Sequence, residues 1–381
     1  MLTDAIVQVS KKTDAGIFIK PKMVSVLHDK KNEAYFHIGK SIGEGSFATC
    51  YEVTLASTGQ SICCKALWKA KFQGDDKKQR VNAEVAILRS LKHPNIVKHY
   101  SSMEDRDFVY HFMEICRHGS LQDLISRRKK LTEPEVRFYM LQILKAVAHL
   151  KKNQIIHRDL KLANIFIAED MTLKIGDFGL AGKPDSRDDR TIWCGTLNYI
   201  APEVLDQEVH SYEVDMWALG IIMYTLLIGT PPFQPKYGSS GIYENIRKVD
   251  FDFPPHENIS SEAMDLVRMI LRANPEERPS FQKVRKHPFF FGFTPSSLSQ
   301  DTLWHPPQFL DDDNLAKRVL SGNGTTYISL SHGPHNPHKK ANYGASNDPN
   351  SPAPLQKTYY FEELMTEKSM PPVKKRKARL A

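Results

Sequence analysis

An α+β chain of two unequal lobes is written into this sequence, a small strand-rich lobe first and a larger helical lobe second. Three observations specify it. Apolar runs of strand character, separated by turn residues, fill Tyr35 to Cys116. Helical spacing of apolar residues then takes over and holds as far as Phe290. Finally, 381 residues at 41% hydrophobic and 25% charged are enough for one enzyme of about 250 to 300 residues with extensions.

The elements follow in order. Residues 1 to 35 are mixed and weakly periodic, and form an N-terminal extension. Tyr35-Phe36-His37-Ile38-Gly39-Lys40-Ser41-Ile42 reads as a strand entering a glycine-rich turn, and Cys50-Tyr51-Glu52-Val53 leads out toward Ser57-Thr58-Gly59. Ser61 to Leu67 is a third strand, followed by a helix around Val81 to Leu91. Periodicity changes after Phe108 to Cys116, which places the lobe boundary at Cys116 to Ser120. Thr132-Glu133-Pro134-Glu135 has the spacing of a capping box, and Phe138, Leu141, Leu144 and Val147 follow on one helical face that is expected to pack the core. The domain is drawn at 36–291, and 292–381 is a linker and a polar tail with a basic end.

Composition excludes several classes. The net charge is +8, yet Lys374, Lys375, Arg376, Lys377 and Arg379 supply five of those charges from one acid-free stretch. That is a basic tail and not a domain-wide nucleic-acid footprint. The five cysteines contain no C-x-x-C pair, so neither a zinc ribbon nor a disulfide framework is indicated. Cys63-Cys64 reads as buried strand packing, since adjacent cysteines rarely meet disulfide geometry. The longest apolar run, Met216 to Ile228, is shorter than the roughly 20 residues needed to span a bilayer. No nucleic-acid or membrane partner is expected.

Chemistry-bearing residues fall into four groups. The first is the run Ile42, Gly43, Glu44, Gly45, Ser46, Phe47, Ala48, Thr49 and Cys50, in which two glycines let backbone approach a polyphosphate between flanking strands. A strand follows it, whereas a dinucleotide fingerprint needs a helix there and a Walker loop needs Gly-Lys-Ser/Thr. The second pairs Lys65, an ammonium suited to phosphate oxygens, with Glu84 on the next helix. The third is His157-Arg158-Asp159-Leu160-Lys161-Leu162-Ala163-Asn164, followed by Asp177-Phe178-Gly179. Asp159 can accept a hydroxyl proton, Lys161 can offset charge on a moving phosphoryl group, and Asn164 and Asp177 offer oxygen ligands for Mg²⁺. The fourth, Ala201-Pro202-Glu203 with the later Arg278, reads as a buried structural ion pair.

In this order the motifs resemble the eukaryotic protein kinases over about residues 36 to 291, and within them the polo-like kinases. Ala48 in place of a third glycine, Cys50 where most kinases carry Val, and Phe166 carry the narrower resemblance. Aurora and NIMA-related kinases are disfavoured by Ala48 with Cys50. The resemblance implies a bilobal kinase fold, with ATP and Mg²⁺ as cofactors. It makes Met113 the gatekeeper, Glu114 to Cys116 the adenine-binding hinge, Cys50 the roof of the adenine and Phe166 its floor. Lys161 with Thr196 marks the serine/threonine class. Protein substrates with Ser or Thr hydroxyls, in acidic contexts and in cell-cycle regulation, follow from the family.

The sequence departs from the family at Thr191, which lies one residue earlier than the usual activating threonine, and at Leu197, which replaces a proline. Thr191 is nonetheless the candidate site for an upstream activating kinase, with Arg158 to receive its phosphate. Only 72 residues follow Phe309, too few and too polar for the tandem polo-box module expected after such a domain. Lys374 to Arg379 is a candidate nuclear import signal, implying an import receptor and a nuclear and cytoplasmic location. The competing reading is a scaffold that binds nucleotide or partners without turnover, which loss of Lys65, Asp159, Asn164 or Asp177 would favour. None is lost.

Overall fold

A computed structural model describes residues 23–45, 48–72, 75–184, 197–209, 211–233, 240–294 and 298. A six-stranded antiparallel sheet in the order β1-β2-β3-β4-β6-β5 makes the first lobe. Its strands are β1 (Val26–Asp29), β2 (Ala34–Glu44), β3 (Ala48–Leu55), β4 (Ser61–Trp68), β5 (His99–Glu104) and β6 (Phe108–Met113). The sheet starts ahead of the boundary drawn at residue 36, because β1 pairs with β2 from Val26↔His37 to Asp29↔Ala34. Asp29 closes that turn by accepting from the backbone N–H groups of Lys31 and Asn32. The N-terminal reading missed it, since a four-residue edge strand is too short to show a period.

The pleat gives the sheet two faces with different tasks. Leu27, Phe36, Val53, Ile62, Cys64, Ala66, Tyr110 and Phe112 pack one side, where the Phe36 and Phe112 rings stack at 4.1 Å. Lys65 points to the other side, toward Glu84 on α1 (Asp75–Ser90). Cys63 and Cys64 are buried as expected, on opposite faces.

The second lobe is built on α2 (Leu121–Arg128), α3 (Glu133–Lys152), the ribbon of β7 (Ile165–Ile167) and β8 (Leu173–Ile175), α4 (Pro202–Leu205), α5 (Glu213–Ile228), α6 (Ser240–Lys248), α7 (Ser261–Ile270) and α8 (Phe281–Arg285). Every residue from Val214 to Leu227 of α5 is buried, so the longest apolar run is the central helix of a protein core. No described helix is long and apolar enough to cross a membrane. In α3 the fully buried apolar positions are Val136, Tyr139, Met140, Ile143, Leu144, Ala146, Val147 and Leu150, while Phe138 and Leu141 are only partly covered. Leu144 and Val147 are thus buried as read from spacing, and Phe138 and Leu141 pack against the same core from its edge, while the fuller burial falls on further positions because α3 is enclosed on several sides.

The capping box forms: the Thr132 N–H and hydroxyl both donate to Glu135, at 2.8 and 2.7 Å. Glu135 also takes the buried Arg128 guanidinium at 2.6 Å, which ties α2 to α3. Thr132→Ala should lower unfolding stability by about 1 kcal/mol. Urea unfolding of the two proteins side by side checks this, and an unchanged midpoint would refute the cap's role.

Candidate active site

Between the sheet and the β7–β8 ribbon, backbone ties fix the separation of the two halves. Val97 N–H donates to the Ile175 carbonyl at 2.9 Å, and Ile175 N–H to that of Asn95 at 2.9 Å. Lys174 of β8 pairs with Glu114 at 2.8 Å, just past β6. Arg117 reaches back to Glu52 of β3 at 2.7 Å. Residues 114–117 therefore run between the two lobes.

Lys65 lies where three elements meet. Its ammonium donates to Glu84 at 2.8 Å and to Asp177 at 2.9 Å. Burial works against the charge on Lys65, but Asp177 and Glu84 override it and hold the ammonium well above its usual range. In return the Lys65 charge, against burial, holds the Asp177 carboxyl down at about 2. Asp177 is 46% exposed at its side chain, so it is fully ionised yet open to the cleft. Its φ of 59° is left-handed, a strained state for a non-glycine residue that the surrounding bonds must maintain.

Asp159 sits beside a cation and an amide. Lys161 pairs with it at 2.8 Å, and the Asn164 amide donates to its carbonyl at 2.9 Å and to its carboxylate at 3.0 Å. Gly176 N–H donates to the Asn164 carbonyl at 3.0 Å, which joins this loop to the start of the Asp177 segment. Beneath both, buried Asp215 of α5 accepts from the backbone N–H groups of His157 at 2.8 Å and Arg158 at 3.0 Å. Burial raises the Asp215 carboxyl above its usual range despite those donors. The His157 ring bridges the Asp159 N–H and the Gly176 carbonyl, at 3.3 and 3.1 Å, and packs on Phe178 at 4.8 Å.

The glycine-rich hairpin pairs Gly43 with Cys50 and Glu44 with Thr49, and the Gly45 N–H donates to the Ala48 carbonyl at 2.8 Å. A Cβ at Gly43 would meet Cys50 at 3.9 Å and one at Gly45 would meet Ala48 at 3.6 Å, both ordinary contacts. Packing among the described residues thus does not demand these glycines. Ile42 is exposed on the same hairpin. Met113 ends β6 in register with Cys63 and His99, Phe166 lies in β7 opposite Lys174, and Cys116 is half-buried with its thiol pushed up to about 12 by burial. Ser46, Phe47, Thr191 and Thr196 lie outside the described residues.

Lys65, Glu84, Asp159, Lys161, Asn164 and Asp177, which spacing alone could only align, are linked by contacts in one cleft. The Lys65–Asp177 contact and the Asp215 support were not legible, because each joins residues far apart in the chain. Chemically the arrangement offers a carboxylate with an attached cation, a second exposed carboxylate of assured charge, and an ammonium fixed from two sides.

The family model described as protein kinase domain matches residues 36–290. The chain is 44% identical over 280 residues to the cell cycle serine/threonine-protein kinase CDC5/MSD2 of Saccharomyces cerevisiae, covering 72% of this chain and 39% of that protein. It is 41% identical over 286 residues to serine/threonine-protein kinase PLK1 of Xenopus laevis, covering 74% and 47%. Similarity to serine/threonine-protein kinase plk-2 of Caenorhabditis elegans is 40% over 306 residues, covering 80% and 48%. The chain spans less than half the length of these relatives.

Proposed function

This chain belongs to the protein kinase family, with a kinase domain of the polo-like type, and from that premise we propose that it transfers the γ-phosphate of ATP to serine and threonine hydroxyls of proteins. The observation that carries the reading is the Asp159 carboxylate with Lys161 and Asn164 bound to it, in one cleft with the Lys65–Glu84–Asp177 set.

The donor set suits Mg²⁺. The Asn164 amide nitrogen is committed to Asp159, which leaves its oxygen as the ligating end, and Asp177 presents an exposed carboxylate. Among the described residues no cluster of three or more His, Cys, Asp and Glu could hold a metal ion. The remaining ligands would be water and nucleotide phosphates, as this cation prefers. Bound there, Mg²⁺ neutralises charge on the phosphates.

The chain's own groups do the rest. Gly43 to Cys50 cover the nucleotide, Glu114 to Cys116 hold the adenine, and Lys65 fixes the phosphates because Glu84 fixes Lys65. Asp159 orients the attacking hydroxyl and takes its proton, and Lys161 offsets charge on the phosphoryl group in flight. Cell-cycle control, acidic sequence contexts, a phosphate on Thr191 facing Arg158, and nuclear import through Lys374–Arg379 complete the proposal. The cell-cycle name of the yeast relative and the basic run itself support its first and last parts.

The test is phosphate transfer from Mg-ATP to an acidic serine-containing protein, with wild type beside Asp159→Asn. Transfer by wild type that falls on the order of 10³-fold in the variant is expected. Equal transfer by both would defeat the assignment of Asp159, and ATP binding without transfer by either would favour a scaffold.

A further inference from the structure

The antiparallel register sets Lys65 of β4 directly opposite His111 of β6, and His111 directly opposite Ser102 of the edge strand β5. Residues so paired project from the same face of a sheet, so all three stand on the side that carries Lys65. Hydrogen bonds continue the row: Ser102 Oγ lies 3.0 Å from His111 Nδ1 and 2.7 Å from His99 Nε2. His111 is fully buried, and its Nε2 meets no partner. The two nitrogens occupy opposite edges of an imidazole, so with Nδ1 on the β5 side this Nε2 is turned to the β4 side, where Lys65 stands.

The Ser102 hydroxyl has one proton and two ring nitrogens to satisfy. It can donate to only one of them, and the other must bring its own N–H. Two arrangements result. In the first, His111 Nδ1–H donates to Ser102, Ser102 donates to His99, and His111 Nε2 is bare. In the second, His99 Nε2–H donates to Ser102, Ser102 donates to His111 Nδ1, and the His111 proton sits on Nε2. A protonated His99 carries hydrogen on both nitrogens and admits only the second.

We propose that His111 is a positioning residue for Lys65 and that His99, through Ser102, decides what it presents: a bare nitrogen when His99 is neutral, an N–H when His99 is charged. This rests on reading Lys65 as the phosphate-binding ammonium. Lys65 itself favours the bare nitrogen, because a lone pair beside a cation attracts and an N–H repels. Burial, with Lys65, His99 and Arg89 adding to it, holds His111 down at about 3, so this ring stays neutral and changes only its tautomer. His99 is half-buried, and burial with the Arg89 charge of α1 holds it below the usual histidine range. The groups that face His99 are Arg89 from α1, His111 from β6 and Ser102 on its own strand. Glu114, just past β6, is engaged by Lys174 and by the Lys98 N–H. As pH falls through the His99 titration, the N–H edge turned to Lys65 therefore works against the hold of Glu84 and Asp177 on the ammonium.

The full chain, labelled with ¹⁵N in its histidine rings, is titrated from about pH 8 to 5 and read by two-bond ¹H–¹⁵N spectra, which separate the tautomers, while Mg-ATP affinity is measured by calorimetry over the same range. As His99 gains its proton, the His111 hydrogen should move from Nδ1 to Nε2, and affinity should fall about threefold. Ser102→Ala breaks the chain and should abolish both changes, whereas Ser102→Thr keeps the hydroxyl and should retain them. Titration of the nucleotide itself is common to all three proteins. A His111 tautomer that stays the same while His99 titrates overturns the inference. A tautomer change with affinity unmoved, in protein that binds ATP, overturns the positioning role. An affinity step that survives in Ser102→Ala belongs to another group and overturns it equally. A tautomer change in protein that binds no ATP at any pH upholds the relay and fails the nucleotide reading instead.

Discussion

Asp177→Ala should reduce turnover by roughly a thousandfold or more while the protein remains folded. Two functions end together in this variant. The exposed carboxylate offered to Mg²⁺ is gone, and Lys65 loses one of the two partners that aim it, at 2.9 Å, leaving Glu84 at 2.8 Å. Because Lys65 holds Asp177 at about 2, the carboxylate is ionised across the working range, so the loss should be the same at every pH from about 5 to 9. Steady-state kinetics against Mg²⁺ concentration, together with a thermal melt, provide the check. Near-full turnover in the folded variant would defeat the assignment of Asp177, and restoration of turnover by excess Mg²⁺ would assign it to metal affinity alone.

Arg278→Ala should remove about 3–5 kcal/mol of stability, because it strands the buried Glu203 carboxylate. The Arg278 guanidinium meets both Glu203 oxygens at 2.7 Å, donates to the Glu213 carbonyl at 2.8 Å and to that of Arg272 at 3.0 Å, and lies over the Trp217 ring at 5.0 Å. Those contacts join α4, α5 and the segment before α8. Arg278→Lys should recover only part of the loss, since an ammonium cannot make the two-pronged contact. Urea unfolding measures both variants, and a shift under about 0.5 kcal/mol for Arg278→Ala would show the pair to be dispensable.

The lobes were legible because strand and helix patterns have different periods, and a change of period along Phe108 to Ser120 needs no tertiary knowledge. The α3 cap was legible for a similar reason: its donor and acceptor are three residues apart and fold locally. The face of α3 was legible only in part: Leu144 and Val147 are buried as spacing has it, but a helix covered on several sides buries Tyr139 and Met140 more fully than Phe138 and Leu141. The edge strand Val26–Asp29 was also missed, because its pairing with Ala34–His37 is tertiary and its own text is too short.

What the sequence determined by itself was the set of chemical groups and their order: glycine-rich turn, Lys65, Glu84, Asp159 to Asn164, Asp177. Local chemistry limits which residue types can cradle phosphate, move a proton or ligate a hard cation, so the list could be read without coordinates. Only the tertiary structure decided which groups touch. Lys65 reaches Asp177 across 112 positions, Asp215 supports the Asp159 loop from a helix over 50 residues away, and Cys50 faces Lys65 because one strand register out of several was chosen. Register and lobe closure are set by how whole faces bury together, and no short window of sequence contains that information.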